Sequence, residues 1–276
     1  MINLGFLGTG NMGSAIIKGI YAAASKNSGR LGDYEITLYA YDKDAEKLKT
    51  LLEYGVKPCN SEQELGNKCN YIFLAVKPQV LGEALSALKP SVTENHVFIS
   101  ICAGISSEYI KKNTNPAAKT VIVMPNTPAM LGVGASAISR DNTVNDSDFE
   151  LAKLIMGCCG LVKEIPMNKM NEIICINGSS PAFIYLFAKG FTDYAKEVGI
   201  DEDTAIQLFA QSLIGSAKML TDSGMTIDRL IKQVSSPGGT TLAGLDRLYE
   251  GKLEETVNNA CKACTNRAYE LAKAKE

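Results

Sequence analysis

Three glycines near the amino terminus, Gly8, Gly10 and Gly13 in GTGNMG, have the spacing of a dinucleotide-binding turn. They follow a short apolar run and open a helical pattern. Gly8 permits a tight turn, Gly10 lets a pyrophosphate approach the backbone, and Gly13 allows the helix to pack closely on the strand. The alternative is a tight turn without a ligand. The position of the motif within a βαβ pattern favours a dinucleotide site.

An acidic residue, Asp42, ends the second strand-like run in LYAYDKD. A carboxylate at this place binds the adenosine ribose 2′-hydroxyl of NAD and repels the 2′-phosphate of NADP. A polar stretch at 25–33 displaces it from the usual spacing of about 20 residues. The adjacent Lys43 is a cation that offsets part of the repulsion. We predict that NADH or NADPH is the cofactor, with NADH favoured.

Three further loops follow apolar strand-like runs: AVKPQ at Ala75–Gln79, ICAGI with Cys102 and Ala103, and MPNTPA with Asn126 and Thr127. Ligands of open α/β sheets bind beyond the carboxyl ends of the strands. We therefore predict that these loops form the floor of a cleft. For AVKPQ alone, a strand that simply ends at a proline is an equally good explanation.

The segment SSPGGTTLAGL, Ser235–Leu245, lies in the second half of the chain. Two glycines, then Thr240, Thr241 and a helical pattern, place backbone N–H groups and hydroxyls at a positive helix end, which suits a carboxylate. Helix capping explains one hydroxyl residue but not the whole cluster. We predict an anion or substrate site.

The chain has one histidine and eight cysteines. His96, in TENHVF, is expected to be a solvated loop residue, and a single imidazole excludes paired histidine ligands and disfavours a Ser-His-Asp relay. Cys261 and Cys264 form a C-x-x-C within a helical pattern. No second pair follows at zinc-site spacing, so we interpret them as partly buried thiols.

The overall composition is that of an ordinary globular protein, with 46% hydrophobic residues and a net charge of −2 in 276 residues. It excludes a disordered chain and gives no electrostatic pull toward nucleic acid or anionic membranes. We find neither an apolar run of about 20 residues nor a secretory signal. We predict a cytoplasmic protein with free thiols, no nucleic-acid partner and no membrane association.

Strand-like and helix-like segments alternate over the first 160 residues, which predicts a parallel sheet with crossover helices. The predicted strands are 2–7, 35–41, 71–76, 97–101 and 120–124, with further ones at 135–138 and 160–165. The predicted helices here are 11–24 and 45–54, and 25–33 is a surface loop.

After about residue 166 the apolar period becomes helical, so we predict a Rossmann-like parallel-sheet domain at 1–165 and an all-α domain at 166–276. Predicted helices span 181–198, a segment capped by Asp201, 241–249 and 253–274. The run AFIYLFA is apolar on every side and should be buried. Burial against a second copy, in a homodimer, is our interpretation; an intramolecular core is the alternative.

Taken together, GTGNMG, AVKPQ, MPNTPA, NGSSPAF at 177–183 and SPGGTTLAGL resemble the pyrroline-5-carboxylate reductase family over essentially the whole chain. One departure is Ser180, where the family usually has glycine. The resemblance implies NADH- or NADPH-dependent reduction of L-1-pyrroline-5-carboxylate, a cyclic imine, to L-proline, the last step of proline biosynthesis. It also implies a helical dimerisation domain with interlocking helices, often a ring of dimers. The active site would lie between one subunit's nucleotide domain and its partner's helical domain.

The resemblance also implies roles for individual residues. The substrate would be bound by Ser236, Gly238, Gly239, Thr240 and Thr241. Among these, the Thr241 hydroxyl would hydrogen-bond the imine nitrogen and act as the catalytic residue. With the strand-end residues above, the cofactor-binding set is Gly8, Gly10, Asn11, Met12, Gly13, Asp42, Asn60, Ala75, Val76, Lys77, Pro78, Cys102 and Ala103.

Two other functions fit the same architecture less well. A related imine or hydroxy-acid reductase commonly places a helix lysine against a carbonyl, and we find no equivalent motif. A non-catalytic NAD-binding sensor would leave the threonine-rich loop without a purpose. Hydride transfer to a C=N bond needs placement more than imidazole chemistry, which agrees with the single histidine.

Overall fold

The computed structural model describes residues 1–273. In this part of the chain, nine strands form one sheet in the order β2-β3-β1-β5-β6-β7-β8-β9, with β4 paired to β3. The strands are β1 (Ile2–Leu7), β2 (Arg30–Leu31), β3 (Tyr34–Tyr41), β4 (Lys57–Pro58), β5 (Tyr71–Leu74), β6 (Val97–Ser100), β7 (Lys119–Met124), β8 (Gly134–Arg140) and β9 (Gly160–Glu164).

The central ladder β3-β1-β5-β6-β7 is parallel, as the buried apolar runs predicted. β8 then pairs antiparallel with β7, through Val121 opposite Arg140, and β9 continues parallel to β8. The predicted loop at 25–33 contains β2, which forms an antiparallel hairpin with β3. The predicted α/β class is confirmed, and the sheet is mixed rather than wholly parallel.

Six helices cover the sheet within the first 179 residues. They are α1 (Asn11–Ser25), α2 (Ala45–Lys49), α3 (Glu62–Lys68), α4 (Pro78–Leu88), α5 (Ser107–Asn113) and α6 (Asp146–Gly157). Short polar side chains cap several of them: Ser61 accepts a hydrogen bond from the Glu64 amide, and Asn145 from the Asp148 amide. The sheet and these helices enclose a core in which the rings of Phe6 and Phe73 stack at 4.8 Å.

His96 is buried, with 3% of its surface exposed, so the predicted solvated position is wrong. Its Nδ1 accepts a hydrogen bond from the Thr93 amide at 3.0 Å. The other ring nitrogen, Nε2, therefore carries the proton and lies 3.0 Å from the Gly66 carbonyl oxygen, to which it donates. The imidazole joins the turn before β6 to α3, which is a structural role.

Contacts divide the chain into two compact units. The first is Met1–Ser179 together with the described chain from Cys264, and the second is Ser180–Ala263. The sequence-based division into a parallel-sheet domain at 1–165 and an all-α domain at 166–276 stays a prediction. The last helix, α11 (Leu253–Lys273), contributes to both units.

The second unit is helical and contains α7 (Ser180–Glu197), α8 (Glu202–Asp222), α9 (Ile227–Gln233), α10 (Thr240–Glu250) and the first half of α11. Asp201 caps α8 as predicted, since its Oδ2 accepts a hydrogen bond from the Thr204 amide at 2.9 Å. The short α9 was not predicted. Within this unit the rings of Phe191 and Phe209 stack at 4.2 Å and join α7 to α8.

The helical unit buries little of its own apolar surface. No residue of α8, α9 or α10 is buried in the single chain, and Leu186 of α7 is 71% exposed. The apolar run at the start of α7 is therefore not covered by this chain, contrary to an intramolecular core. Within residues 1–273 no helix has the length and apolar character needed to span a bilayer.

Candidate active site

The candidate nucleotide site lies where the strand order reverses. β3 pairs with one side of β1 and β5 with the other, so the chain connections diverge at the carboxyl end of β1. A crevice at such a switch point is where open α/β sheets bind ligands. Gly8 follows β1 and Ala75 follows β5, and the Ala75 amide donates to the Leu7 carbonyl at 2.9 Å. The predicted GTGNMG and AVKPQ segments therefore meet at this crevice.

Gly8 and Gly13 are required by the backbone geometry of the turn. Gly8 has a φ of +95°, and a Cβ there would lie 2.7 Å from Val76 Cγ1 and 2.9 Å from the Ala75 carbonyl. A Cβ at Gly13 would lie 2.8 Å from the Gly8 carbonyl oxygen. Both positions exclude a side chain because strand end, turn and helix are in close contact.

Gly10 differs from these two glycines because nothing lies within 4 Å of the position its Cβ would take. It stands at the start of α1, whose first turn has no side-chain cap and no acidic residue. Two cavities, of about 230 and 510 Å³, are both lined by Gly10. An uncapped helix end beside open space fits a pyrophosphate. Asn11 lines the larger cavity, whereas the Met12 side chain packs against the core.

Asp42 is held by the glycine turn. Its Oδ2 accepts hydrogen bonds from the Thr9 amide at 2.7 Å and the Thr9 hydroxyl at 2.9 Å, and its Oδ1 accepts from the Asp44 amide at 3.0 Å. Burial alone would raise the pKa of Asp42, but these hydrogen bonds outweigh it and hold the pKa below 3.8. Asp42 lines the smaller cavity as an ionised carboxylate with three donors already bound.

Two lysines line the smaller cavity close to Asp42. Lys43 is exposed and pairs with Glu83 of α4, with 2.7 Å between Nζ and Oε1. Lys47 lines both cavities and lies 3.6 Å from the Asp44 carboxylate. The hydrogen bond that Lys43 donates to Glu83 raises the pKa of Lys43, which is therefore a cation at neutral pH.

The remaining wall of the smaller cavity comes from the ends of β3 and β5 and the start of α3 and α4. Ala75, Val76 and Lys77 line it, together with Val80 and Ala84. Sequence reasoning missed Glu62 and Tyr41, which also line it. Burial and the nearby Glu62 carboxylate raise the pKa of Tyr41. No motif signalled Glu62, which is buried at the first position of α3.

Other predicted cofactor residues lie outside this cavity. The Asn60 amide groups donate to Glu64 Oε2 at 2.7 and 3.0 Å, and Pro78 is the first residue of α4. The Cys102 thiol donates to the Leu74 and Val76 carbonyls, and burial raises its pKa to about 12. Cys102 is thus a neutral thiol that ties β6 to β5, and the adjacent Ala103 is exposed.

The MPNTPA loop is positioned by two asparagines. Asn126 Oδ1 accepts a hydrogen bond from the Ala135 amide at 2.8 Å. Asn177 Nδ2 donates to the Met124 carbonyl at 2.6 Å and to the Ala135 carbonyl at 3.1 Å. Asn177 lies in a π-helical turn, Ile174–Ser179, directly before Ser180 and α7. No sequence motif indicated this positioning role for Asn177.

The predicted substrate segment forms the start of α10 in the helical unit. Gly238 has a φ of +71°, and the Gly239 amide donates to the Ser236 carbonyl at 2.9 Å. Gly239 is the cap residue, and α10 has neither a side-chain cap nor an acidic residue in its first turn. Thr240 and Thr241 are its first two residues and are exposed in the single chain. An uncapped helix end beside hydroxyls is suited to a carboxylate.

Among the described residues, no group of three or more His, Cys, Asp or Glu side chains is placed to hold a metal ion. None of the eight cysteines forms a disulfide, and Cys261 and Cys264 are partly buried in α11, as predicted. The candidate site therefore consists of backbone amides, hydroxyls, lysines and carboxylates.

Two family models match the chain. Residues 167–271 match the model described as pyrroline-5-carboxylate reductase dimerisation, and residues 3–104 match the one described as NADP oxidoreductase coenzyme F420-dependent. Pyrroline-5-carboxylate reductase 3 of Xenopus laevis is 32% identical over 98% of this chain and 96% of its own length. The Escherichia coli pyrroline-5-carboxylate reductase is 29% identical, with 98% of each chain covered.

Solved structures agree with these matches. The Plasmodium falciparum pyrroline carboxylate reductase with NADP bound superposes with a TM-score of 0.85 at 30% identity, covering 98% of both chains. The pyrroline-5-carboxylate reductase from Coxiella burnetii gives a TM-score of 0.86 at 29% identity with the same coverage. The full-length agreement in sequence and in fold shows that this chain belongs to the pyrroline-5-carboxylate reductase family.

Proposed function

We propose that this chain reduces L-1-pyrroline-5-carboxylate to L-proline with a nicotinamide dinucleotide, as the last step of proline biosynthesis. One observation carries the proposal: a chain of this family presents two uncapped helix starts, one after Gly10 and one after Gly239. The first fits a pyrophosphate and the second a small carboxylate. These are the two anions that such a reaction brings together.

The residues around the first helix start fit a dinucleotide. Gly10 leaves open space where a side chain would block the pyrophosphate, and the α1 amides point toward it. Ala75, Val76 and Lys77 form the wall that continues from the glycine turn. When bound, the reduced dinucleotide supplies a hydride from nicotinamide C4.

The second helix start supplies groups for the substrate. The amides that begin α10 and the Ser236 hydroxyl would hold the carboxylate of the cyclic imine. The Thr241 hydroxyl would hydrogen-bond its ring nitrogen and orient the imine carbon. Thr240 and Thr241 are exposed in the single chain, so both hydroxyls are accessible.

The side chains of His96 and Cys102, which are of types that commonly transfer protons, already have structural hydrogen bonds within this protein. Both ring nitrogens of His96 are hydrogen-bonded within the core, and Cys102 is a neutral buried thiol. A protonated imine is already an electrophile, so the protein needs to position it rather than to activate it with a strong acid. The residues present match a reaction governed by placement.

Self-association is part of this proposal. The dimerisation model covers the helical unit, whose apolar side chains are exposed in the single chain. We propose a homodimer, assembled further into a ring of dimers, in which the α10 segment of one subunit completes the nucleotide site of its partner. We further propose a cytoplasmic location, which is supported by eight cysteines of which none forms a disulfide.

The proposal is tested by steady-state kinetics on the purified protein with pyrroline-5-carboxylate and, separately, with hydroxypyruvate-type substrates. Thr241→Ala should lower kcat about 10- to 100-fold, the scale of one hydrogen bond to a charged group. Thr241→Ser should retain most activity, and Thr256→Ala on α11 is the matched control. Faster turnover of the hydroxy-acid substrate class, or unchanged kcat in Thr241→Ala, would contradict the proposal.

A further inference from the structure

We propose that Lys43, assisted by Lys47, binds the 2′-phosphate of NADPH, and that these lysines rather than Asp42 determine cofactor choice. This inference rests on the proposed function, because it takes the cavity beside the glycine turn as the adenosine end of a dinucleotide site. It reverses the NADH preference that the sequence favours.

Asp42 is committed to the protein itself. An ionised carboxylate offers about four lone-pair positions, and three are occupied by the Thr9 amide, the Thr9 hydroxyl and the Asp44 amide. These donors also offset its negative charge. Asp42 therefore acts as a positioning residue for the glycine turn, and its repulsion of a nearby phosphate is reduced.

Lys43, which follows Asp42 in sequence, and Lys47 line the same cavity as this carboxylate. The partner of Lys43 is Glu83, and both side chains are more than half exposed, at 59% and 71%. Exposed ion pairs contribute little to stability, so Lys43 can exchange Glu83 for a doubly charged phosphate at small cost. Lys47, 3.6 Å from Asp44, is held only loosely by its own partner.

The other charged groups that line the cavity do not neutralise the positive charges of Lys43 and Lys47. Glu62 is buried, and Lys77 adds a third cation. Three lysines therefore face two acidic side chains, Asp42 and Glu62, and Asp42 is already engaged by donors of the protein. Glu83 is the remaining competitor for Lys43.

The test measures binding of NADPH and NADH by the fluorescence of the reduced nicotinamide, without substrate and without turnover. The wild-type protein should bind NADPH about tenfold more tightly than NADH at low salt, the scale of one charge-assisted hydrogen bond, and the ratio should shrink as salt rises. Lys43→Ala should remove most of this ratio by weakening NADPH binding, while NADH binding stays within about twofold.

Three further variants separate the roles. Glu83→Gln should raise NADPH affinity about two- to threefold, because it frees Lys43. Asp42→Ala should weaken both dinucleotides alike, because it loosens the turn that they share. Lys49→Ala is the matched control, since Lys49 pairs with Glu46 and lies outside both cavities. It should leave both affinities unchanged.

Each outcome decides a different question. If both dinucleotides bind and the ratio survives in Lys43→Ala and in the Lys43→Ala, Lys47→Ala double variant, the inference is wrong and the proposed function stands. A wild-type preference for NADH, or a switch toward NADPH in Asp42→Ala, would also overturn the inference. If neither dinucleotide binds, the proposed function and the inference both fail.

Discussion

The glycine turn provides a prediction in which stability and binding separate. Gly8→Ala places a Cβ 2.7 Å from Val76 Cγ1 and 2.9 Å from the Ala75 carbonyl at a φ of +95°. The left-handed conformation costs an alanine about 1–2 kcal/mol. Relief of the overlap costs about 1–3 kcal/mol more, because the Ala75 amide holds β5 on β1. We expect the free energy of unfolding to fall by about 2–5 kcal/mol.

Gly10→Ala is the matched control for this substitution. No atom lies within 4 Å of the new Cβ, and the φ of −65° suits alanine, so stability should change by no more than about 1 kcal/mol. The methyl group would instead enter the space beside the α1 amides and weaken dinucleotide binding at least about tenfold.

Urea unfolding followed by far-UV circular dichroism measures the free energy of unfolding. Circular dichroism is chosen because the chain has no tryptophan. Protein concentration must be fixed because the proposed self-association would contribute to stability. Nicotinamide fluorescence titration measures the affinity for the dinucleotide. The reasoning is refuted if Gly8→Ala is as stable as wild type, or if Gly10→Ala binds the dinucleotide normally.

Three further predictions concern the core, the helical surface and pH. His96→Ala should lower the free energy of unfolding by about 2–4 kcal/mol in urea titrations, because it leaves the Gly66 carbonyl and Thr93 amide unpaired and opens a cavity; kcat of the folded enzyme should not change. Leu186→Lys should weaken self-association in sedimentation velocity, whereas Leu161→Lys, on exposed β9, should not. Asp141 is partly buried, and this burial raises its pKa, but hydrogen bonds from Lys111, Thr120 and Thr143 lower the pKa below 3.8 overall. The stabilisation that Asp141 contributes is complete above the unfolded-state pKa of about 3.9 and is lost as pH falls through the lower folded-state pKa. Asp141→Asn should therefore flatten the decline of the urea midpoint between about pH 4 and about pH 2, a range that lies within roughly 2 units of the unfolded-state pKa.

The parallel core was predictable because its strands are buried on both faces. Tyr71–Leu74 is continuously apolar, as are the first three residues of Val97–Ser100, and each run is followed within a few residues by a proline or a glycine. The antiparallel pairing of β8 with β7 was not predictable, because hydrophobic pattern carries no information about strand direction. The seven-residue α9 is too short to show a helical period.

The parts of the site whose geometry depends on local sequence were predictable. The parts that depend on residues distant in sequence were not. The spacing of Gly8, Gly10 and Gly13 determines the turn. The hydrogen bonds of His96 to Gly66 and of Asp42 to Thr9 join residues 30 and 33 positions apart. Such partners are decided by the folded sheet, so neither the burial of His96 nor the hydrogen bonds of Asp42 could be deduced from their neighbours in sequence.

The central claim is hydride delivery to a cyclic imine, and isotope transfer tests it most directly. The wild-type protein is incubated with pyrroline-5-carboxylate and a reduced dinucleotide deuterated at nicotinamide C4, and the product is examined by mass spectrometry and NMR. We predict L-proline that carries one deuterium on the ring carbon that was the imine carbon. Its amount should equal the amount of dinucleotide consumed. Dinucleotide oxidation without labelled proline, or no reaction with this imine, would contradict this prediction.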